Sequence, residues 1–377
     1  MRIVLIGEVY SNNLGDRLVA LCTKKILEKI VYDAEIELMD IKGRRNCEKK
    51  QTIKTLHNSV KEKIRNILSK ISMIDAYFKK KSANELTSYY ESFFPISKGC
   101  VAIFAGGQLI SNTFSAHIYK ISSVLEKHEI PFFFSSVGLG VLQKKDISLY
   151  SQVFSMSFFK GISCRCHASR LNNLFFHGDN IVVDSFDSVV TSAHFFDIKK
   201  KEKSDIIGLG VMSSSRYERS FLISFWQKII YLLKKNNIEW EIFTTGDERD
   251  YALAQEILRN NNIEEQKIVR RPMSPLDLLV VESNFKKILS FRLHSHIIAY
   301  ALGIPSVGLC WDEKIRDFFD KISKPDCCFG VYASVDEIVK KILSIDFEAY
   351  SKNNDNILKK SKLCYDFLRN SIEGLVS

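Results

Sequence analysis

The stretch KILSFRLHSHIIAYALGIPSVGL, residues 287–309, decides the fold class of this chain. Residues 287–290 and 306–309 are short apolar runs, which are typical of buried parallel strands. Apolar residues around 297–301 predict a helix between these runs, and the helix would end at Gly303, before Pro305. A strand, a helix and a second strand in this order form a βαβ unit. We therefore expect a largely parallel sheet covered by helices.

The same alternation of apolar runs and helical periodicity extends in both directions from this stretch. In the first half of the chain, strands are predicted at 1–6, 35–39, 101–104, 132–137, 161–164 and 181–183. In the second half they are predicted at 206–211, 240–244, 267–269, 287–290 and 306–309. The lysine-rich run 199–203 is typical of a solvated linker, and residues 335–376 look helical throughout.

This order predicts an α/β protein with a GT-B-like architecture. Two Rossmann-like domains would enclose a cleft, and a helical segment would follow at the C-terminus. The expected limits are 1–195 for the N-terminal domain, with a basic helical insertion at about 41–95, then 204–345 for the second domain and 346–377 for the helical segment. Ligands of such sheets bind beyond the carboxyl ends of the strands, so the loops there are the places to search.

Composition excludes several classes of protein. With 377 residues, 46% hydrophobic and 26% charged, the chain is neither disordered nor fibrous. Its nine cysteines lack metal-ligand spacing, which favours reduced thiols over disulfides or a zinc site. No apolar run approaches the length of a signal peptide or a membrane-spanning helix. We expect a soluble protein on the cytoplasmic side.

The net charge of +10 is concentrated in one segment. Between positions 41 and 81 there are 13 lysines and arginines but only three acidic residues, so this segment carries the whole excess. Nucleic acid, an anionic membrane surface and a phosphorylated substrate all fit such a segment. Sparse aromatic residues and the lack of a standard motif disfavour nucleic acid. An amphipathic helix through Ile64, Leu68 and Ile71 would either contact anionic lipid headgroups or pack on its own domain.

Two glycine-containing loops follow predicted strands of the first half. In the loop 7–16, Gly and Asn permit tight turns and Asp16 is expected to cap the next helix. The loop 105–108 places Gly106, Gly107 and Gln108 after a strand, where backbone amides can approach an anionic or sugar ligand, although paired glycines also occur in ordinary turns. Residues 208–210 lack a third glycine in dinucleotide register, which argues against a nicotinamide or flavin enzyme.

Three cations follow other predicted strands. Arg165 stands directly after one strand and fits either a bound anion or a structural ion pair. Arg292 and His294 stand where the strand of the opening stretch turns into its helix, and they offer an anion clamp and a group that titrates near neutrality. Lys314 follows the next strand, at the same edge of the sheet. Their convergence favours an anion site there.

These residues resemble the polysaccharide pyruvyl transferase family. The most specific match runs through Arg292-Leu293-His294, Ile298-Ala299, Gly303-Ile304-Pro305 and Trp311-Asp312-Glu313-Lys314. Asn13-Leu14-Gly15-Asp16, Gly106-Gly107 and Ser163-Cys164-Arg165 support it, so the resemblance spans roughly residues 1–320. The chain departs from the family pattern at Ala105 in a usual glycine triplet, at Cys166 in place of an Asp, and at Ser185 in place of a Pro.

The resemblance implies an enzyme that transfers pyruvate from phosphoenolpyruvate to two hydroxyls of a sugar, forming a ketal in capsule, exopolysaccharide or lipopolysaccharide synthesis. It implies no cofactor and no metal, while the sequence leaves open whether the acceptor is a free nucleotide sugar, a lipid-linked oligosaccharide or a finished polymer. His294 and Arg292 are the expected catalytic residues, and the second domain is the expected donor side. Donor-binding residues would be Arg165, Arg292, Leu293, His294 and Lys314. Acceptor-binding or loop residues would be Asn13, Gly15, Asp16, Gly106, Gly107 and Gln108.

Two other functions fit the same residues. A nucleotide-sugar glycosyltransferase of GT-B fold would also gather Arg, Lys and glycine-rich loops at the strand ends. A sugar-binding protein that has lost catalysis would keep the fold, but retention of Arg292, His294 and Lys314 argues against it.

Overall fold

The computed structural model describes residues 1–45, 72–94, 99–198, 205–260, 267–346 and 354–376. The chain divides into two compact units. The first unit contains Met1–Ser11, Ile26–Ser185 and Asp366–Ser377, and the second contains Asn12–Lys25 and Phe186–Tyr365. The expected domain limits remain a prediction from sequence. What the division shows is that the short segment 12–25 belongs with residues that are distant from it in the chain.

The first unit is built on a six-stranded parallel sheet in the order β2-β1-β3-β4-β5-β6. Its central strands β3 and β4 are buried along their whole length, as expected for mainly apolar strands in the middle of a parallel sheet. The strands are β1 (Arg2–Gly7), β2 (Glu35–Asp40), β3 (Cys100–Ala105), β4 (Phe132–Val137), β5 (Phe159–Cys164) and β6 (Val182–Asp184).

The helices described in this part of the sequence are α1 (Leu14–Ile30), α2 (Ser72–Glu85), α3 (Thr87–Glu91), α4 (Ser115–Lys127), α5 (Lys144–Phe154) and α6 (Ala168–Phe175). Helix α1 belongs to the second unit as far as Lys25 and to the first unit from Ile26. The core of this unit is rich in phenylalanine: Phe104 on β3 stacks on Phe134 on β4 with ring centroids 4.4 Å apart, and Phe154 on α5 meets Phe134 edge to face. Such aromatic pairs add to the area they bury and fix the helices on the sheet.

The second unit has a five-stranded parallel sheet in the order β11-β10-β9-β7-β8. Its strands are β7 (Ile207–Gly210), β8 (Trp240–Phe243), β9 (Lys287–Ser290), β10 (Ser306–Cys310) and β11 (Cys328–Gly330). Its helices are α7 (Ser192–Phe195), α8 (Arg219–Lys235), α9 (Glu248–Arg259), α10 (Pro275–Ser283), α11 (Leu293–Ala301), α12 (Glu313–Lys321) and α13 (Val335–Ser344). Helix α14 (Asn354–Val376) begins in this unit, and its residues from Asp366 onward belong to the first unit. A short 3₁₀ helix, Ser188–Thr191, precedes α7.

The opening stretch of the sequence forms β9, α11 and β10, as its pattern predicts. Strand β9 pairs with β10 in parallel, and every residue of α11 is buried. Because α11 is buried on all sides, its sequence is apolar all round apart from His294, Ser295 and His296. Those three polar residues at its start are therefore exceptional and mark the end of β9 as a place of interest.

Four expectations from the sequence are wrong. Residues 267–269 form no strand and contribute only an isolated bridge between Ile242 and Ile268. Strand β11 was not expected, because it is only three residues long. The C-terminal segment is not one helix, since α13 ends at Ser344 and Ile345 is extended. Asp16 does not cap α1 but lies inside its first turn.

The amphipathic helix expected through Ile64, Leu68 and Ile71 lies outside the described residues. At the start of the basic segment, Lys42 and Arg44 are both paired with Glu8, at 3.0 and 3.1 Å. Among the described helices, none combines the length and the apolar character that crossing a bilayer demands.

Candidate functional site

The carboxyl edge of the second sheet gathers the residues of greatest interest. Strand β9 ends at Ser290, and α11 begins at Leu293 with Arg292 as its N-cap residue. The Ser290 hydroxyl accepts a hydrogen bond of 3.0 Å from the backbone N–H of Arg292, which fixes the turn. This tight connection puts Arg292 and His294 next to each other where the strand ends.

His294 lies between two carboxylates. Its ring is buried, with 7% of the residue exposed. Its Nδ1 is 4.0 Å from Oδ1 of Asp16, and its Nε2 is 3.9 Å from Oδ2 of Asp187. These are ion-pair distances and are longer than hydrogen bonds. The arrangement places a negative charge beside each ring nitrogen.

Both carboxylates are held by hydrogen bonds of their own. Asp16 accepts a bond of 2.8 Å from the Nδ2 amide of Asn13, so the sequence Asn-Leu-Gly-Asp orients its own acid. Asp187 caps the 3₁₀ helix Ser188–Thr191 by accepting a bond of 2.9 Å from the N–H of Val189. Asp187 was missed in the sequence analysis. Its signal is an Asp-Ser pair in front of an apolar turn, which fits an ordinary helix cap equally well.

Gly15 gives His294 its space. A Cβ atom at position 15 would lie 2.3 Å from Nδ1 of His294 and 2.5 Å from its Cβ, which no real side chain tolerates. The backbone of Gly15 therefore touches the imidazole directly. The side-chain oxygen of Asn13 accepts a bond of 3.2 Å from the N–H of Gly15 and holds this backbone in place.

Arg292 is engaged by a buried acid. Its Nε donates to Oδ2 of Asp250 at 3.1 Å, and its Nη2 also donates to that oxygen. Asp250, in the first turn of α9, accepts a further bond of 2.8 Å from the N–H of Ser213. Burial raises the pKa of Asp250, and the nearby Arg292 opposes that rise. Asp250 is a second residue that sequence reasoning missed, and it fixes the direction in which the guanidinium points.

Lys314 lies against an aromatic ring. Its ammonium is 4.9 Å from the centroid of Trp311, and the guanidinium of Arg216 is also 4.9 Å from that ring. The indole N–H donates to the carbonyl of Phe291 at 2.7 Å, which ties Trp311 to the turn that carries Arg292. Cation–π contacts of this kind hold cations without neutralising them. Arg216 was not expected from the sequence.

The predicted residues of the first unit form a separate group at the carboxyl edge of its own sheet. Gly106 and Gly107 both have positive φ, and the Gly107 carbonyl accepts a bond of 2.7 Å from the N–H of Gly138. A Cβ atom at Gly138 would lie 3.0 Å from Nε of Arg165, so the buried guanidinium is packed against this glycine turn. Gln108 donates to the Leu139 carbonyl at 3.3 Å.

Cys166 follows Arg165 at the end of β5. A hydrogen bond from the Cys164 thiol lowers the pKa of Cys166 to about 6, and the charge of Arg165 acts in the same direction. The Cys166 thiol therefore gives up its proton more readily than an ordinary cysteine. It stands beside the arginine, at the position where the resembled family commonly has an Asp.

The predicted site residues thus fall into two groups. Within the second unit, Asn13, Gly15, Asp16 and His294 are in contact, Arg292 and the buried Leu293 begin the same helix, and Lys314 lies on Trp311. Within the first unit, Gly106, Gly107, Gln108 and Arg165 gather around the glycine turn. The segment 13–16, expected on the acceptor side, lies against the expected catalytic histidine.

A family model described as polysaccharide pyruvyl transferase matches residues 13–313. The chain belongs to this family. The match begins at Asn13 and includes every predicted site residue except Lys314, which follows it directly. Membership identifies the protein as a transferase of polysaccharide biosynthesis. A search of the curated proteins finds no match to this chain.

Solved structures show the fold of this pyruvyl transferase family member to be GT-B-like. It is similar to S. aureus MnaA in its co-structure with UDP, at 12% identity and a TM-score of 0.58, with 97% of this chain and 92% of that chain covered. It is also similar to the UDP-GlcNAc 2-epimerase of Methanocaldococcus jannaschii, at 12% identity and a TM-score of 0.57, covering 95% and 99%. A third is the α,α-trehalose 6-phosphate synthase of Burkholderia multivorans, at 9% identity and a TM-score of 0.55, covering 99% and 98%.

Proposed function

We propose that this transferase moves pyruvate from phosphoenolpyruvate onto two hydroxyls of a sugar, forming a cyclic ketal during synthesis of a cell-surface polysaccharide. One observation carries the proposal. In a chain of this family, a single strand-to-helix turn presents a fixed guanidinium, Arg292, and a histidine, His294, set between two carboxylates.

The donor carries a phosphate and a carboxylate on adjacent atoms, so its binding needs cations that stay charged. Arg292 meets this need, because Asp250 holds it in one orientation through two of its three nitrogens. Lys314 on Trp311 supplies a second cation at the same sheet edge. Arg165 is a further proposed donor contact, on the resemblance of its sequence to the family pattern. Fixed cations of this kind stabilise charge on a departing phosphate without rearranging.

The proposed reaction balances without a redox partner. A proton adds to the enol carbon C3 of phosphoenolpyruvate, which becomes a methyl group, and a sugar hydroxyl forms a C–O bond to C2. The C2–O bond to phosphate then breaks, and the second hydroxyl adds to C2 to close the ketal. Of the two protons that the hydroxyls lose, one replaces the proton delivered to C3 and the other leaves with phosphate.

His294 is the proposed general acid and base of these steps. Imidazole exchanges protons near neutral pH, and this ring lies beside the cation that would hold the donor. General acid–base catalysis of this kind contributes about 10²–10⁴-fold to rate. We therefore expect His294→Gln to reduce turnover within that range while leaving the fold intact, because the amide replaces only the buried ring.

The test is mass spectrometry of products from phosphoenolpyruvate and a panel of sugars, nucleotide sugars and lipid-linked sugars. A parallel assay compares phosphate release from phosphoenolpyruvate with nucleoside diphosphate release from nucleotide sugars. The proposal requires a pyruvate ketal on one acceptor and loss of that product in His294→Gln. Nucleoside diphosphate release without a ketal would instead establish a glycosyltransferase.

A further inference from the structure

We propose that Asp187 is a positioning residue that holds the N–H of His294 at Nε2, so that Nδ1, on the side of Asp16, is the nitrogen that exchanges protons during the reaction. The inference rests on the proposed function for its catalytic meaning. The tautomer of His294 itself can be measured without a substrate.

Asp187 is built into the interior. Only 3% of the residue is exposed, and one carboxylate oxygen is committed to the N–H of Val189 while the other lies 3.9 Å from Nε2 of His294. The 3₁₀ helix that Asp187 caps is anchored in turn to α1, because the Ser188 hydroxyl donates to the Val19 carbonyl at 3.1 Å. A carboxylate held this firmly can fix a ring orientation rather than follow it.

The two carboxylates beside the ring differ in exposure. The side chain of Asp16 is 19% exposed, against 3% for that of Asp187. A substrate therefore reaches the ring from the side of Asp16 and Nδ1. In a neutral histidine, a nearby negative charge favours a proton on the nitrogen that faces it, and water screens a buried charge less than a more exposed one. The buried carboxylate on Nε2 favours the Nε2–H tautomer and leaves the Nδ1 lone pair directed toward the exposed side.

Other titratable groups lie on the elements that carry or adjoin His294 and Asp187. Burial raises the pKa of Cys22 on α1 and of Glu282 on α10, which lies against Ser295, so burial disfavours a charge on either side chain. On α12, Lys321 lies 5.9 Å from the ring of Phe186, the residue before Asp187. Arg292, at the start of α11 itself, is paired with Asp250. Among these described groups, Asp16 and Asp187 are the anions that flank His294.

The variant that tests the role is Asp187→Asn. Asparagine is as good a helix cap as aspartate, so the 3₁₀ helix keeps its hydrogen bond while the charge is lost. A second variant, Asp187→Ser, keeps the cap with a different side chain and guards against an effect peculiar to the amide. The matched control is Asp197→Asn, the same substitution at an exposed position ten residues later.

The first readout is ¹⁵N NMR of the histidine side chains, with the His294 signals identified by their absence in His294→Gln. We expect the Nε2–H tautomer in the wild-type protein, a mixture of tautomers in both Asp187 variants, and no change in Asp197→Asn. An Nδ1–H tautomer in the wild-type protein, or unchanged tautomers in the Asp187 variants, would overturn the proposal.

The second readout is the pH profile of ketal formation. Because a carboxylate near the ring stabilises imidazolium, we expect the limb assigned to His294 to move to lower pH in Asp187→Asn, with turnover about tenfold lower and the KM for phosphoenolpyruvate little changed. If the ketal forms but the pH limb does not move in Asp187→Asn, the proposed role of Asp187 is wrong and the proposed function still stands. Absence of any ketal would refute the proposed function while the NMR result still decides the role of Asp187.

Discussion

The carboxyl edges of the two sheets share one packing feature but differ in which parts of the chain provide it. At each edge a glycine makes room for a predicted site side chain: Gly138 for Arg165 in the first unit and Gly15 for His294 in the second. Gly138 belongs to the loop after β4, which neighbours the strand that carries Arg165. Gly15 comes from the opposite end of the sequence to His294. Only in the second unit must distant parts of the chain, at Gly15 and His294, come into contact.

The electrostatics differ as well. In the first unit, Arg165 stands next to Cys166 in the sequence, and its charge helps to lower the pKa of that thiol. In the second unit, His294 and Arg292 have Asp16, Asp187 and Asp250, which come from three other segments of the chain. A site assembled from distant segments depends on tertiary packing, and it is correspondingly sensitive to small displacements.

The largest expected effect follows from Gly15→Ala. The new methyl group would lie 2.3 Å from Nδ1 of His294, and the atoms that it would meet belong to a ring and its Cβ rather than to the end of a flexible side chain. The ring must move, and a displacement of about 1 Å in a catalytic group costs about 10²-fold in rate. The loss of rate is measured as turnover of phosphoenolpyruvate, and circular dichroism verifies that the variant is folded.

Two glycine variants provide the comparison. Gly138→Ala brings a methyl group to 3.0 Å from Nε of Arg165, a contact that a small shift relieves, so we expect a loss of several-fold only. Gly374 lies in α14, and a Cβ atom added there would meet no atom within 4 Å outside the helix's own backbone, so we expect Gly374→Ala to leave activity unchanged. Equal losses in Gly15→Ala and Gly138→Ala would contradict the view that the second site is the more tightly assembled.

Acid stability tests a buried histidine in each unit. Burial lowers the pKa of His117, next to Tyr90, and of His296, on α11, to about 4 in both cases. Each ring is neutral in the folded protein and would take up a proton near pH 6.5 when unfolded. The contribution of each neutral ring to the free energy of unfolding is therefore fully present above about pH 6.5. It is lost as the pH falls toward 4, which lowers the free energy of unfolding by about 3 kcal/mol for each histidine.

Hydrogen exchange followed by mass spectrometry reports the two units separately. We expect His117→Gln to flatten the acid dependence in peptides of the first unit, and His296→Gln to flatten it in peptides of the second. If a variant loses as much stability at low pH as the wild-type protein does, a group other than that histidine causes the loss.

The smallest expected effect concerns two thiols. A hydrogen bond from Cys328 lowers the pKa of Cys310 to about 6, as the bond from Cys164 does for Cys166. Both should therefore react with iodoacetamide about tenfold faster at pH 7 than at pH 5. Peptide mass spectrometry gives the rates, and buried Cys22, whose pKa burial raises, is the unreactive control. Matching rates for Cys22 and Cys166 would rule out a thiolate beside Arg165.

Much of the fold could be predicted because its signals are local. An apolar run bounded by Gly or Pro indicates a buried strand, and ten of the eleven strands in the described residues were expected. The exception, β11, is three residues long with little apolar pattern. The run 267–269 is the converse case, since it carries the apolar pattern but makes only an isolated bridge.

The candidate site was predictable in part. Arg292 and His294 could be singled out because they interrupt an otherwise apolar stretch at a strand end, which local sequence reveals. Asp187 and Asp250 could not, because each resembles an ordinary acid at a helix start. Their roles depend on which side chain lies opposite.

The sequence by itself determined the βαβ organisation, the family and the identity of the residues at the strand ends, because each depends on residues close together in the chain. Only the tertiary structure decided that Gly15 and Asp16 lie against His294, that Asp187 closes its other side, and that Asp250 holds Arg292. The physical reason is that charge pairing and close packing act through space, and folding alone brings these segments within 4 Å of each other.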